Sequence, residues 1–224
     1  MQAIMETLFN VVYLGTVIIL GFRMIKKSGD NKQYRLFGFM AVILGAGDAF
    51  HLIPRSYALL TTGLEANAAA LGIGKLITSI TMTIFYVMVY LIWKERYNRK
   101  NDNVLTVTIY TLAVIRIVVC LFPENEWLRY DEPVIWGIYR NIPFALMGMM
   151  MIGLFYDEAK KQQDQSFRFM WLAIALSFGF YIPVVIWANT FSWVGILMIP
   201  KTVAYVWMVW MGYRERFPSI AERL

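Results

Sequence analysis

Six ionisable side chains stand inside stretches apolar enough to cross a bilayer: Asp48, His51, Lys75, Arg116, Arg140 and Lys201. A charge at mid-bilayer costs roughly 2.5–3.5 kcal/mol on insertion scales, so such groups face a bundle interior or a watery cavity and find partners there. Counted from the ends of their segments at 1.5 Å per residue, the five charges lie roughly 8–12 Å below the same membrane surface. Lys75, Arg116, Arg140 and Lys201 face only Asp48 in that layer. A buried surplus of cations is costly unless something offsets it. The residue types therefore point to an outward-facing pocket for an anionic group, a phosphate or carboxylate on an amphiphile. The competing reading is structural: Asp48 bridges one cation while the longer side chains snorkel outward.

Helical spacing groups these residues with others. Asp48, His51 and Arg55 fall at i, i+3 and i+7 and share a face, as do Lys75, Ser79, Met82 and Tyr86. Asp48 and His51 are the candidate catalytic residues, with Asp48 suited to act as a base, to orient water or to serve as a counter-ion. Ser79, Tyr139, Tyr181, Asn189 and Tyr205 are further candidates for lining the pocket. Pro143, Pro183 and Pro200 lie close to Arg140, Tyr181 and Lys201 and loosen the backbone there. One histidine, one intramembrane acid and Cys120 do not supply the convergent ligands of a metal site. The chain has no Gly-rich phosphate loop, no GxSxG elbow and no HExxH motif. No cofactor is called for.

These residues need scaffolding elements, and composition says which. Hydrophobic residues make up 59% of the 224 and charged residues 16%, against about 45–50% and about 25% in soluble domains. Mean hydropathy is +0.53. A soluble fold of this length could not hide so much apolar surface. The expected fold is all-α: a single domain of seven transmembrane helices at roughly 6–25, 34–54, 70–93, 103–123, 133–156, 167–190 and 193–213, the last two joined as a tight hairpin. The lone Cys120 excludes a disulfide scaffold.

Net charge is +6, yet its distribution argues for membrane orientation rather than nucleic-acid binding. Arg23, Lys26, Lys27, Lys32, Arg35, Lys94, Arg96, Arg99, Lys100, Lys160, Lys161, Arg168, Arg214, Arg216 and Arg223 all fall on one side; Arg55 and Arg129 fall on the other. The positive-inside rule then places the N-terminus outside and the C-terminus in the cytoplasm. A bacterial inner membrane is the expected location, and membrane lipids are the expected surroundings. The start MQAIMETLFN lacks a basic region and a cleavage site, so the first helix is expected to insert uncleaved.

The stretch Gly47-Asp48-Ala49-Phe50-His51-Leu52-Ile53-Pro54-Arg55 resembles a motif of the lysoplasmalogenase-like (YhhN) membrane family, and Gly72-Ile73-Gly74-Lys75 to Phe85-Tyr86 looks like the span that follows it there. The resemblance covers about 40 residues by our count from Gly47 to Tyr86. It implies a multi-span enzyme that hydrolyses the vinyl-ether bond of lysoplasmalogens, with Asp48 as the acid of its site. Two other functions stay open. A retinal photoreceptor would use Lys201, beside an aromatic–proline sixth helix running Tyr181-Ile182-Pro183. A small-molecule transporter or sensor subunit would need a partner protein that the residues do not specify.

Overall fold

The computed structural model describes residues 2–99, 101–188 and 190–215. Seven helices carry the chain: α1 (Gln2–Lys27), α2 (Lys32–Leu60), α3 (Ala68–Arg96), α4 (Asn103–Cys120), α5 (Val134–Lys161), α6 (Met170–Trp187) and α7 (Met198–Arg214). Seven helical stretches are long and apolar enough to cross a membrane, and no strand occurs among the described residues. Helices adjacent in sequence pack side by side; α7 closes the ring against α1 and α2, while α3 reaches α5 across the middle. The bundle thus has an N-terminal face, where α1, α3, α5 and α7 begin, and an opposite C-terminal face.

The helices turn apolar side chains both ways. Val11, Ile19, Ile53, Val107, Val118, Ile142 and Val203 stand exposed on the exterior, as lipid contact demands. Inside the N-terminal half, the rings of Tyr86, Phe144, Phe178, Phe85 and Tyr205 form a connected cluster with centroids 4.9–5.5 Å apart. Inside the C-terminal half, Phe37, Met40, Val89, Ile92, Phe155, Met170 and Met208 meet in a wholly apolar layer.

Among the boundaries that differ from the sequence expectation, two lie near prolines. The second span was expected to stop at residue 54, but α2 continues through Pro54 to Leu60. Proline cannot donate to the carbonyl of residue i−4, here Phe50. That carbonyl lies against Gly74 of α3, where an added Cβ would come within 2.3 Å of it. Close approach of α3 thus covers the gap and lets the helix run on. At the other boundary, α6 stops at Trp187 and a 3-10 turn (Ser192–Leu197) precedes α7, in place of a tight hairpin. Pro200 falls in the first turn of α7, where a missing N–H costs nothing.

Candidate functional site

Four helices bring their ionisable residues together in the N-terminal half. Arg116 of α4 is 2% exposed. Its guanidinium carbon lies 3.4 Å from the Phe144 ring centroid, and its Nε and Nη1 have no hydrogen-bond acceptor. Lys201 of α7 is also buried. Its Nζ sits 4.7 Å from the Tyr181 ring centroid and 5.3 Å from that of Tyr205, in electrostatic reach of Asp48 and Arg116. Asp48 of α2 accepts a 2.6 Å hydrogen bond from the Tyr13 hydroxyl of α1 at Oδ2. Deeper in, the Tyr86 and Ser177 hydroxyls are 3.1 Å apart.

Above this layer, residues 121–133 fold back over the bundle. Asn125 is buried and its Nδ2 donates to the Val119 and Phe122 carbonyls at 2.7 and 3.0 Å, closing the free end of α4 as helix ends require. Trp127 donates from Nε1 to the Cys120 carbonyl at 2.9 Å. Its own carbonyl rests on α3 at Gly72, where a Cβ would fall 1.4 Å from the oxygen; only glycine admits this contact. Glu132, at the loop's end, accepts from Lys75 Nζ at 2.9 Å and from Arg140 Nη2 at 3.0 Å. Arg140 also donates to Asn125 Oδ1 at 3.0 Å and lies over the Trp127 ring.

The expected balance of four cations against one carboxylate is thereby corrected. Glu132 supplies a second carboxylate because its loop turns inward, and it takes up Lys75 and Arg140 at the rim. Asp48 stands in electrostatic reach of Lys201. Arg116 lies against an aromatic face, with two nitrogens unanswered.

The remaining candidates divide. Tyr181 belongs to the site: its hydroxyl donates to Asn141 Oδ1 at 3.1 Å while its ring meets Lys201. Tyr205 lies beside Lys201 and in electrostatic reach of Asp48. Ser79 does not act on the Lys75 amine; its hydroxyl donates to the Lys75 carbonyl of its own helix at 2.8 Å, as serines in membrane helices often do. Tyr139 points outward, 47% exposed, with its ring edge-on to Trp136. His51 faces α3, hydrogen-bonded to the Leu71 backbone near Lys75, with Nδ1 buried and unpartnered. Asp48 is held by α1 instead, so the two candidate catalytic residues take their partners from different helices. Asn189 lies outside the described residues, as do Lys100, Arg216 and Arg223 of the charge count. No cluster of metal-binding side chains occurs among the described residues.

Sequence reasoning missed Tyr13, Glu132, Phe144 and Ser177. Glu132 had a signal: a cation surplus asks for a carboxylate, and this one lies two residues before α5. Tyr13 had none, since tyrosine is common near membrane interfaces.

The C-terminal face holds charge differently. Arg96 grips Asp164 through Nε and Nη2 at 2.9 and 2.8 Å and also bonds Glu215. Asp164 further accepts from the Tyr97 hydroxyl and from the Ser166 and Phe167 amides, at 3.0–3.2 Å. Burial alone would raise the Asp164 carboxyl; the bonds and charge of Arg96, with Phe167 and Tyr97, hold it below the usual carboxylate range. Burial and the adjacent Asp164 push the Tyr97 hydroxyl up. Arg99 pairs with Glu158, which also accepts from Gln162 at 2.9 Å.

No family model, curated protein or solved structure matches the chain. Chemically, a guanidinium and an ammonium inside an aromatic wall can bind an anion strongly, because few water molecules compete.

Proposed function

We propose that the N-terminal half of the bundle binds the anionic head of a single-chain amphiphile of the lysolipid kind. The observation that carries this is Arg116, buried to 2% exposure with two guanidinium nitrogens lacking an acceptor. Burying an unpaired guanidinium costs several kcal/mol by order of magnitude, and an anion at that position offsets the cost. Lys201 is the second cation of the site, and Tyr181, Tyr205 and Phe144 form its walls. The basic residues of the C-terminal face support a cytoplasmic placement of that face, which turns the site toward the outer leaflet. Asp48, fixed by Tyr13, is positioned to orient water for hydrolysis, in line with the resemblance to the lysoplasmalogenase-like family.

The test is incubation of purified protein with lysolipids carrying vinyl-ether, ester and alkyl-ether chains, read by mass spectrometry for both binding and turnover. Wild type is expected to retain anionic lysolipids, and Arg116→Met to lose them by about 100-fold, near the ~3 kcal/mol typical of a truncated buried charge pair. Turnover of one class by wild type but not by Asp48→Asn assigns the hydrolytic role. Equal retention by wild type and Arg116→Met removes the anion reading.

A second reading is favoured by Lys201 alone. An amine between two tyrosine rings with Asp48 in electrostatic reach is the arrangement of a retinal-binding lysine and its counter-ion. A red-shifted absorption band on adding retinal, absent in Lys201→Met, would establish it.

A further inference from the structure

An open, apolar groove of about 390 Å³ runs along the seam of α6 and α7, lined by Leu176, Phe180, Ile199, Pro200, Val203 and Trp207. We propose that this groove holds the acyl chain of an anionic lysophospholipid drawn from the surrounding leaflet, and that the lipid reaches Arg116 sideways through the α6–α7 seam. The inference rests on the anion-binding reading and adds the route and the chain site.

Three observations carry it. The first is that the route from the N-terminal face is covered. Residues 121–133 lie across it, seated on Gly72 through the Trp127 carbonyl and tied down where Glu132 bridges Lys75 and Arg140.

The second is that groove and site are the two sides of one helix pair. On α7, Lys201, Tyr205 and Met208 face inward and are buried, while Ile199 and Val203 face outward at 41% and 53% exposure. On α6, Ser177 is buried and Tyr181 meets Lys201, while Leu176 and Phe180 line the groove. Only the thickness of this seam separates the groove from the cations, and both helices carry a proline in it. Pro183 leaves α6 without its hydrogen bond to Gly179, and Pro200 lies in the first turn of α7. The segment leading into α7 is a 3-10 turn, with poorer hydrogen-bond geometry than an α-helix.

The third is polarity. From the level of Lys201 the groove descends past Val203 to Trp207, roughly 9 Å along α7 and across the middle of its apolar stretch. A head held by Arg116 and Lys201 therefore leaves its chain pointing as the chains of the surrounding leaflet point. The single groove suits one chain.

The experiment uses the full-length protein in nanodiscs with oleoyl lysophosphatidic acid and with its chain-brominated form, whose bromines quench nearby tryptophans. Oleoyl lysophosphatidylcholine serves as the zwitterionic control. Wild type is expected to bind the anionic lipid with quenching, most of which disappears in Trp207→Phe. Val203→Phe, which fills the groove from its lipid-facing wall, is expected to weaken binding about tenfold, and Arg116→Met to abolish it. If Arg116→Met loses binding while quenching survives Trp207→Phe and Val203→Phe binds as tightly as wild type, the chain lies elsewhere. The groove proposal then fails and the anion site stands. If wild type binds neither probe, or binds the zwitterion equally well, both proposals fail.

Discussion

The two halves of this bundle handle charge in opposite ways. In the C-terminal half the interior is apolar, and the charges gather at the rim in ion pairs, where one carboxylate oxygen, Glu215 Oε2, is buried without a donor. Arg96 meets two carboxylates there, and Asp164 accepts from a guanidinium, a phenol and two amides. In the N-terminal half the charges go inside, and the pairing stops short at Arg116. Paired rim charges hold helices in place. An unsatisfied buried charge lowers stability, so it persists where something outside the chain completes it. On the function proposed above, the contrast separates scaffold from site.

The comparison breaks most visibly in stability. Arg96→Met strips Asp164 and Glu215 of their donor and is expected to lower unfolding free energy by about 2 kcal/mol, reduced from a fully buried pair because Arg96 is partly exposed. Arg116→Met removes an unpaired charge and is expected to leave the lipid-free protein equally stable, or more stable by ~1 kcal/mol. Thermal unfolding in matched detergent measures both, and an equal loss in the two variants would make Arg116 a structural post.

Acid sharpens the same contrast. The Asp164 carboxyl is held below its ordinary value, so its contribution is complete above the unfolded carboxylate range, about pH 4, and is lost as pH falls through the depressed folded value. Melting temperature should decline across that acid window in wild type and decline less in Asp164→Asn, itself weaker by ~1–2 kcal/mol at neutral pH. The smallest effect is expected at Glu132→Gln, which costs under about 1 kcal/mol because Lys75 is partly exposed. It frees two cations at the rim, so anionic-lipid association should rise a few-fold at low salt and converge with wild type as salt increases. Slower association would show instead that the Glu132 bridge holds the cover of the site in its working arrangement.

Much of the architecture was legible because lipid imposes simple rules: length, apolarity and periodicity gave seven helices. That Arg116 and Lys201 face the bundle interior followed from their charge inside apolar spans. What stayed hidden was set by contacts between distant parts of the chain. The fold of residues 121–133 depends on Gly72 admitting a carbonyl 55 residues away, and without that contact Glu132 reads as a loop acid. The continuation of α2 past Pro54 depends on α3 covering the Phe50 carbonyl. Tyr139 and Ser79 were misplaced because spacing assigns a residue to a region but not its rotamer, and one turned to lipid while the other turned to its own backbone.

The apolar layer of Phe37, Met40, Val89, Ile92, Phe155, Met170 and Met208 has an electrical consequence. An ion that entered from the N-terminal face as far as Asp48 would have to shed its hydration to go further, a Born penalty on the order of 20 kcal/mol before relaxation. The chain can therefore keep four cations and two carboxylates on one side of that layer without becoming a leak. The layer thus works as an insulator between the two faces of the bundle.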